Sequence, residues 1–359
     1  GDHRDLHSFP PRRSSDLQVK RLRSHASIVF WCGNNELGEG FEKDPALLDN
    51  GAWTSYRRIG DLLREVVNAN DPERVFWPSS PCNAESETEQ WRDVKRGDSH
   101  FWAVWHRNQP FDEYRKIKPR FCSEFGFQAF PALATVDAFL PPEERNIFSP
   151  VMGEHQKNIG GNTRIVGTFE RYFRFPKRFE DFIYLSQVQQ ALAIKTGVEY
   201  WRCCKPVCMG TLYWQLNDTW PVASWASLDY GGGWKAMHYM ARRFFQPVTV
   251  AAIPSEDGKE VRFSMVNDTP EPAAVDMNLF AVTLGGEKIP LRTASATCPP
   301  DRAETLLIFA ADDIPPDSIL AWSFIANGTS GEGHYVHGTY KALELAPSGL
   351  TLKAAPGQG

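Results

Sequence analysis

The chain predicts an α/β fold followed by an all-β module: the second part of a (β/α)8 barrel, then a β-sandwich. Three observations predict it. Short apolar runs without helical period alternate with helix-period segments as far as residue 247. After Pro247 that alternation gives way to short β-rich runs separated by turn signals. Two of the early apolar runs pass directly into a glutamate, at Glu36 and Glu124. The C-terminal end of a barrel strand is where such folds present their chemistry.

Each element has its own signal. Residues 1–17 are rich in Arg, Ser, Asp and His and lack periodicity, so they read as a non-native or disordered leader, such as translated adapter sequence. Ile28–Trp31 is β-branched and aromatic, the pattern of a buried strand. A polar loop with Gly38 and Gly40 follows. Trp53, Tyr56, Ile59, Leu62, Leu63, Val66 and Val67 recur three and four apart, a helix stopped by Asn70-Asp71-Pro72. Val75–Pro78 is a short strand closed by Ser79-Ser80-Pro81, and Gly97–Trp102 with Val104–His106 makes a strand end and an aromatic loop. Phe121–Phe125 is a further strand.

Phe182, Leu185, Val188 and Leu192 mark a helix ending before Gly197. Thr211–Leu216 reads as the last strand of the series, and Trp234–Phe245 as a helix. About five strands are counted where a closed barrel needs eight, so residues 18–247 read as a barrel from its fourth strand onward. Residues 248–253, 260–266, 274–284, 304–310 and 318–326 are the β-rich runs of a sandwich over 248–346. It lacks the Cys…Trp…Cys spacing of an immunoglobulin domain. Residues 347–359 form a Gly/Pro/Ala-rich tail.

Composition narrows the function. With 42% hydrophobic and 23% charged residues the chain is of globular type. A net charge of −5 offers no basic face for nucleic acid or an anionic membrane, and no apolar run reaches the ~18–20 residues of a membrane span. Twelve Trp and 23 Phe suit sugar stacking and barrel packing alike. The seven Cys are irregularly spaced; Cys203, Cys204 and Cys208 have no second pair at zinc-site distance, so free thiols and no metal are expected. G-x-S-x-G and H-E-x-x-H are both absent, which removes serine-esterase and zincin chemistry.

Three motifs carry a resemblance. Asn34-Asn35-Glu36 after an apolar strand, Ser123-Glu124-Phe125-Gly126-Phe127-Gln128, and Gly210–Pro221 with Ser224-Trp225 and Gly233-Trp234-Lys235 resemble, in order, the acid/base, nucleophile and last-strand segments of the β-mannosidase branch of glycoside hydrolase family 2. The resemblance is strong over residues 18–247. It implies an immunoglobulin-like sandwich, β-mannoside glycans as substrate and no cofactor. It also implies that Glu36 is the acid/base and Glu124 the nucleophile, that Asn35 binds the sugar 2-hydroxyl, and that Trp214 floors the subsite. His100, Trp102 and His106 lie on the loop where such enzymes build more of the pocket; structural roles compete for all three, and Trp31 and Trp77 read as packing residues.

Retaining hydrolysis needs the two carboxyls about 5–5.5 Å apart, whatever their separation in sequence. Exo and endo action, β-glucosaminide or β-galactoside substrates, compartment and oligomeric state stay open. A non-catalytic carbohydrate-binding module would explain the sandwich and neither glutamate. The missing strands would leave an open edge and an apolar patch beside Ile28–Trp31, so a fragment inactive alone is expected.

Overall fold

The computed structural model describes residues 10–38, 46, 51–83 and 93–345. The chain divides into two compact units. One draws on residues up to Trp102, Lys116–Phe125 and Val207–Tyr213; the other on Ala103–Arg115, Gly126–Pro206 and residues from Trp214 onward.

The first unit opens with helix α1 (Pro10–Leu22). The helix crosses Leu17 without a break. Its Val19 packs with Val66 and Val67 of α2 (Ala52–Asn70), and Arg12 pairs with Glu65 at 3.1 Å. Residues 1–9 lie outside the described residues. Strands β1 (Phe30–Cys32) and β2 (Val75–Trp77), joined through α2, pair in parallel, with Phe30 opposite Val75. Strands β3 (Ser99–His100) and β4 (Cys122–Glu124) form a second parallel pair. Cys122 then makes a parallel bridge to Thr211.

The order of parallel pairing follows the predicted series, and the strands do not close into a barrel among the described residues. Two details differ from the sequence reading. The predicted strand over Thr211–Leu216 contracts to the bridge at Thr211, because Gly210, Thr211 and Leu212 bond β4 while residues beyond them are irregular. The predicted buried strand at Ile28–Trp31 is exposed at Val29 (72%) and Phe30 (37%). A largely apolar cavity of about 330 Å³ lies there, lined by Val29, Phe30, Val75, Trp77 and Phe121 beside Gly97 and Asp98.

In the second unit, short helices α3 (Ala103–His106), α4 (Leu133–Asp137) and α5 (Pro150–Glu154) lead to α6 (Gly161–Tyr172), α7 (Phe179–Arg202) and α8 (Ala236–Phe244). Helix α7 runs through Gly197, where the sequence reading ended it. A Cβ there would sit 3.3 Å from the Tyr114 ring, so glycine serves close packing rather than termination. Its buried glutamines hold irregular backbone: Gln190 Nε2 donates to the carbonyls of Phe127, Trp225 and Ala226 at 2.8–3.3 Å. No helix among the described residues is long and apolar enough to cross a membrane.

Seven antiparallel strands follow: β5 (Val248–Pro254), β6 (Glu260–Asn267), β7 (Ala273–Thr283), β8 (Lys288–Cys298), β9 (Arg302–Ala310), β10 (Ser318–Ala326) and β11 (Thr329–Tyr335). They form a sheet of order β5-β6-β9 and a sheet of order β11-β10-β7-β8. One apolar core joins them: Val250, Phe263 and Met265 from the first meet Met277, Leu279 and Trp322 from the second. Trp322 stacks edge-on against Phe263 and donates its indole N–H to the Val250 carbonyl at 3.1 Å.

Strands β8 and β11 lacked a sequence signal because few of their residues are large and apolar. β8 is mostly exposed and carries Pro290 at an irregularity in its pairing with β7. β11 carries Gly331 and Gly333, where a Cβ would come within 2.1–2.2 Å of the Phe324 and Trp322 rings.

Candidate active site

The strand ends of the first unit bring Glu36, His100, Trp102 and Glu124 together. Beyond β1 the chain is stitched to the residues following β2. Gly33 N donates to the Trp77 carbonyl (2.8 Å), Ser80 N to the Asn34 carbonyl (3.0 Å), and Glu36 N to the Ser80 carbonyl (2.8 Å). Asn34 Nδ2 donates to the Pro78 carbonyl, and the Ser79 hydroxyl to Asn34 Oδ1, both at 2.8 Å. Held this way, Glu36 adopts φ 57°, a left-handed conformation costing a non-glycine residue of order 1–3 kcal/mol. Such outliers concentrate at functional sites, and this one aims a carboxylate at β3 and β4.

On β3 and β4, Ser99 N donates to the Phe121 carbonyl and Phe101 N to that of Glu124, each at 2.8 Å. His100 Nδ1 then lies 2.7 Å from Glu36 Oε1 and 3.2 Å from Glu124 Oε2. Trp102 donates its indole N–H to Glu124 Oε2 at 3.0 Å. One oxygen of each carboxylate and the imidazole nitrogen all fall within 4.8 Å of one another. Glu124 is buried at 8% exposure, whereas the Glu36 side chain is 37% exposed. Burial pushes the Glu124 carboxyl above the usual glutamate range; His100 and the Trp102 N–H pull it back, and Glu36 adds to the rise.

The trio has the composition of a metal site without its spacing. Ligand atoms around a transition metal at about 2.0–2.2 Å stand about 3 Å or more apart. The 2.7 Å between His100 Nδ1 and Glu36 Oε1 is a hydrogen-bond distance.

Sequence reasoning passed over the group beneath this trio. Asp98, buried, accepts four hydrogen bonds: Trp77 Nε1 (3.2 Å) and Cys82 N (2.8 Å) on Oδ1, and the hydroxyls of Ser80 (2.5 Å) and Ser123 (2.6 Å) on Oδ2. Trp77, read as packing, is therefore also a donor. Gly97 makes the approach feasible: it has φ +60°, and a Cβ there would fall 1.8 Å from the Cys82 carbonyl oxygen. The available signal was Gly97-Asp98 ahead of Ser99-His100, a positive-φ turn residue placing a carboxylate at a strand start.

Among the described contacts, none ties the remaining named residues to this cluster directly. Asn35 is exposed and bridges Ser80. His106 ends α3 and Trp214 lies in irregular chain, both exposed and both in the second unit. Trp31 donates to Asp71 Oδ2 at 2.8 Å, a structural contact.

Parallel strands that end in two adjoining carboxylates are followed in the chain by a helical segment and two antiparallel sheets. No protein-family model matches it. The β-mannosidase of Capra hircus is 35% identical over 264 residues, covering 67% of this chain and 30% of that protein. β-Mannosidase B of Thermothelomyces thermophilus is 34% identical over 264 residues, with the same coverage. The crystal structure of a β-D-mannosidase from Dictyoglomus thermophilum superposes with a TM-score of 0.81 at 30% identity, over 93% of this chain and 41% of that one. An Amycolatopsis orientalis exo-chitosanase, at 14% identity and TM-score 0.67, shares the fold alone, over 90% of this chain and 38% of that one. The chain belongs with the β-mannosidases of glycoside hydrolase family 2, and it spans about 30% of the length of the curated relatives it matches.

Proposed function

We propose that this chain carries the catalytic pair of a retaining β-mannosidase acting at the non-reducing end of β-mannosides. The observation that carries the proposal is the approach of Glu36 and Glu124, within 4.8 Å, at the ends of parallel strands. An approach this close is too short for the intervening water of an inverting site, whose carboxyls stand about 6.5–9.5 Å apart. Glu124 attacks the anomeric carbon while Glu36 gives its proton to the departing oxygen. Water, deprotonated by Glu36, then releases the sugar from Glu124. Burial lowers the stability of the Glu124 anion, and the His100 and Trp102 contacts oppose this. The positive charge that develops at the anomeric carbon supplies the remaining stabilisation.

On this reading residues 18–247 are the later strands of a (β/α)8 barrel and 248–346 an immunoglobulin-like sandwich. Asn35, beside Glu36, takes the sugar 2-hydroxyl. Trp214 and His106 belong to the sugar pocket, and Trp102 meets the substrate from its place on Glu124.

The test is hydrolysis of a panel of nitrophenyl β-glycosides by a polypeptide of the relatives' length that contains this segment. Mannoside should be preferred. Glu124→Ala should lose about 10⁴-fold or more in rate. Glu36→Ala should keep turnover of activated aryl mannosides, with small anions rescuing the second step. The reverse behaviour of the two variants would swap the roles, and full activity of Glu124→Ala would end the assignment. The 359-residue chain itself is expected to turn over little, given the open apolar cavity at β1.

A further inference from the structure

His100 stands in the hydrogen-bond pattern as something other than a sugar contact. Its side chain is 2% exposed, which leaves little of it for a ligand. Its ring has two differently constrained nitrogens. Nε2 lies 2.9 Å from the Ser80 hydroxyl, which lies 2.5 Å from Asp98 Oδ2. Asp98 takes four donors and offers none, as an ionised carboxylate does, so the Ser80 proton points at Asp98. Ser80 Oγ is then an acceptor toward the imidazole, and Nε2 must carry a hydrogen. Nδ1 faces the two catalytic carboxylates. Glu36 and Glu124 lie on one side of the ring and Asp98 lies beyond Ser80 on the other.

We propose that the Asp98–Ser80 pair fixes His100 with Nε2 protonated, so that Nδ1 and Glu36 Oε1 share the single proton the acid later delivers. The proposal rests on the acid/base role given to Glu36 above. His100 is a positioning residue: it acts through Glu36. The proton count closes in each half-reaction. The shared proton leaves with the aglycone oxygen, and one proton of the attacking water replaces it. Between the two events the Nδ1 lone pair beside the Glu36 carboxylate raises that carboxylate's proton affinity, which the base step requires. Ser123, the second hydroxyl on Asp98 Oδ2, keeps that oxygen in place.

The decisive measurement is ring-nitrogen NMR of the ¹⁵N-histidine-labelled 359-residue chain, with His100 assigned by the signals lost in His100→Gln. The expected spectrum has Nε2 fully protonated and Nδ1 between protonated and bare. Ser80→Ala should convert His100 to a mixture of tautomers, and Ser80→Thr, which keeps the hydroxyl, should restore it. A bare Nε2 in the parent, or an unchanged signal in a folded Ser80→Ala, overturns the proposal. In a polypeptide of the relatives' length, Ser80→Ala should lower kcat/KM about tenfold or more for an alkyl mannoside. For a nitrophenyl mannoside, whose departing group needs no proton, the change should be under twofold. An equal rise in KM for both substrates would return His100 to substrate binding. Glu124→Gln separates the two readings: turnover by that variant defeats the proposed function, while the tautomer spectrum still decides the state of His100.

Discussion

The unit that carries the carboxylates and the unit that carries the two sheets solve folding differently. In the first, strands are two or three residues long, and what joins their ends is a polar group, Asp98, with four donors around it. In the second, strands of seven to eleven residues, either buried along most of their length as in β5 or alternating buried and exposed positions as in β7, enclose an apolar core centred on Trp322. Short strands bury little by themselves, so hydrogen bonds with defined directions must fix their ends, and that is where a proton can be placed. Long strands bury their own faces and leave few polar groups to use. The comparison teaches where removal of apolar volume should matter and where removal of one proton should.

The largest stability effect is expected in the sheets. Trp322→Ala removes a fully buried indole together with its hydrogen bond to Val250, and should cost about 3–5 kcal/mol in denaturant unfolding. The His100 ring signals should stay as they are in the folded variant. A loss below about 1 kcal/mol would mean that the shared core does not carry the second unit.

Next in size is Lys235, the one buried ammonium of the Gly233-Trp234-Lys235 motif. Burial pulls it down to about 7, against the influence of Asp218 and Asp229. Its Nζ donates to the carbonyls of Ala129 and Ser224, each 3.2 Å away, and those carbonyls already accept from each other's amides. Between pH 7 and 10.5 the unfolded chain holds this proton and the folded chain does not. The parent should therefore gain stability as pH rises through that window, by about 1.4 kcal/mol per unit at most. Lys235→Met should be neutral to about 4 kcal/mol stabilising at pH 7. The difference between the two proteins should shrink toward pH 10. A difference independent of pH would show that the ammonium is paired and not penalised.

The same contrast explains what could be read in advance. β7 alternates apolar and polar residues over Val275–Leu279 and β10 is a nearly continuous apolar run, and their ranges were legible to within a residue or two. β8 and β11 are rich in Thr, Ser, Gly and charged residues and carry few large apolar side chains, so no alternation marked them. Glu36 and Glu124 were legible because an apolar run ending in a carboxylate is unusual. Asp98 was not: a carboxylate after glycine reads as a turn residue, and only the fold brings Ser80 and Cys82 to it from one segment and Ser123 from another. His100 was singled out in the sequence, but its approach to Glu36, Glu124 and Ser80 is a matter of distances that only the fold supplies.

A smaller effect is expected at Glu124. Its carboxyl is raised by burial, so between the unfolded value near 4.5 and the raised folded value the native chain holds the extra proton. This contribution to stability is complete below pH 4.5 and is lost as pH climbs through the raised value. Glu124→Gln removes the penalty. Its melting temperature should exceed the parent's at pH 7 and approach it near pH 4. Equal melting temperatures across that range would mean that Trp102 and His100 fully offset the burial, leaving the first unit without a stability cost for its chemistry.

The smallest effect tests whether α1 is held by its core contact or by its charges. Arg12 meets Glu65 at 3.1 Å, but the Glu65 side chain is 64% exposed, and an exposed pair of long side chains loses in entropy most of what it gains in attraction. Val19 by contrast is 4% exposed against Val66 and Val67. Glu65→Ala should therefore change unfolding by no more than about 0.5 kcal/mol. Val19→Ala should cost more, of order 1–2 kcal/mol, since two methyl groups leave a packed site. Hydrogen exchange of the α1 amides would separate the two: protection lost in Val19→Ala and kept in Glu65→Ala is the expected outcome. The reverse would make α1 an electrostatically attached helix, and residues 10–22 would then lose their claim to the first unit's apolar core.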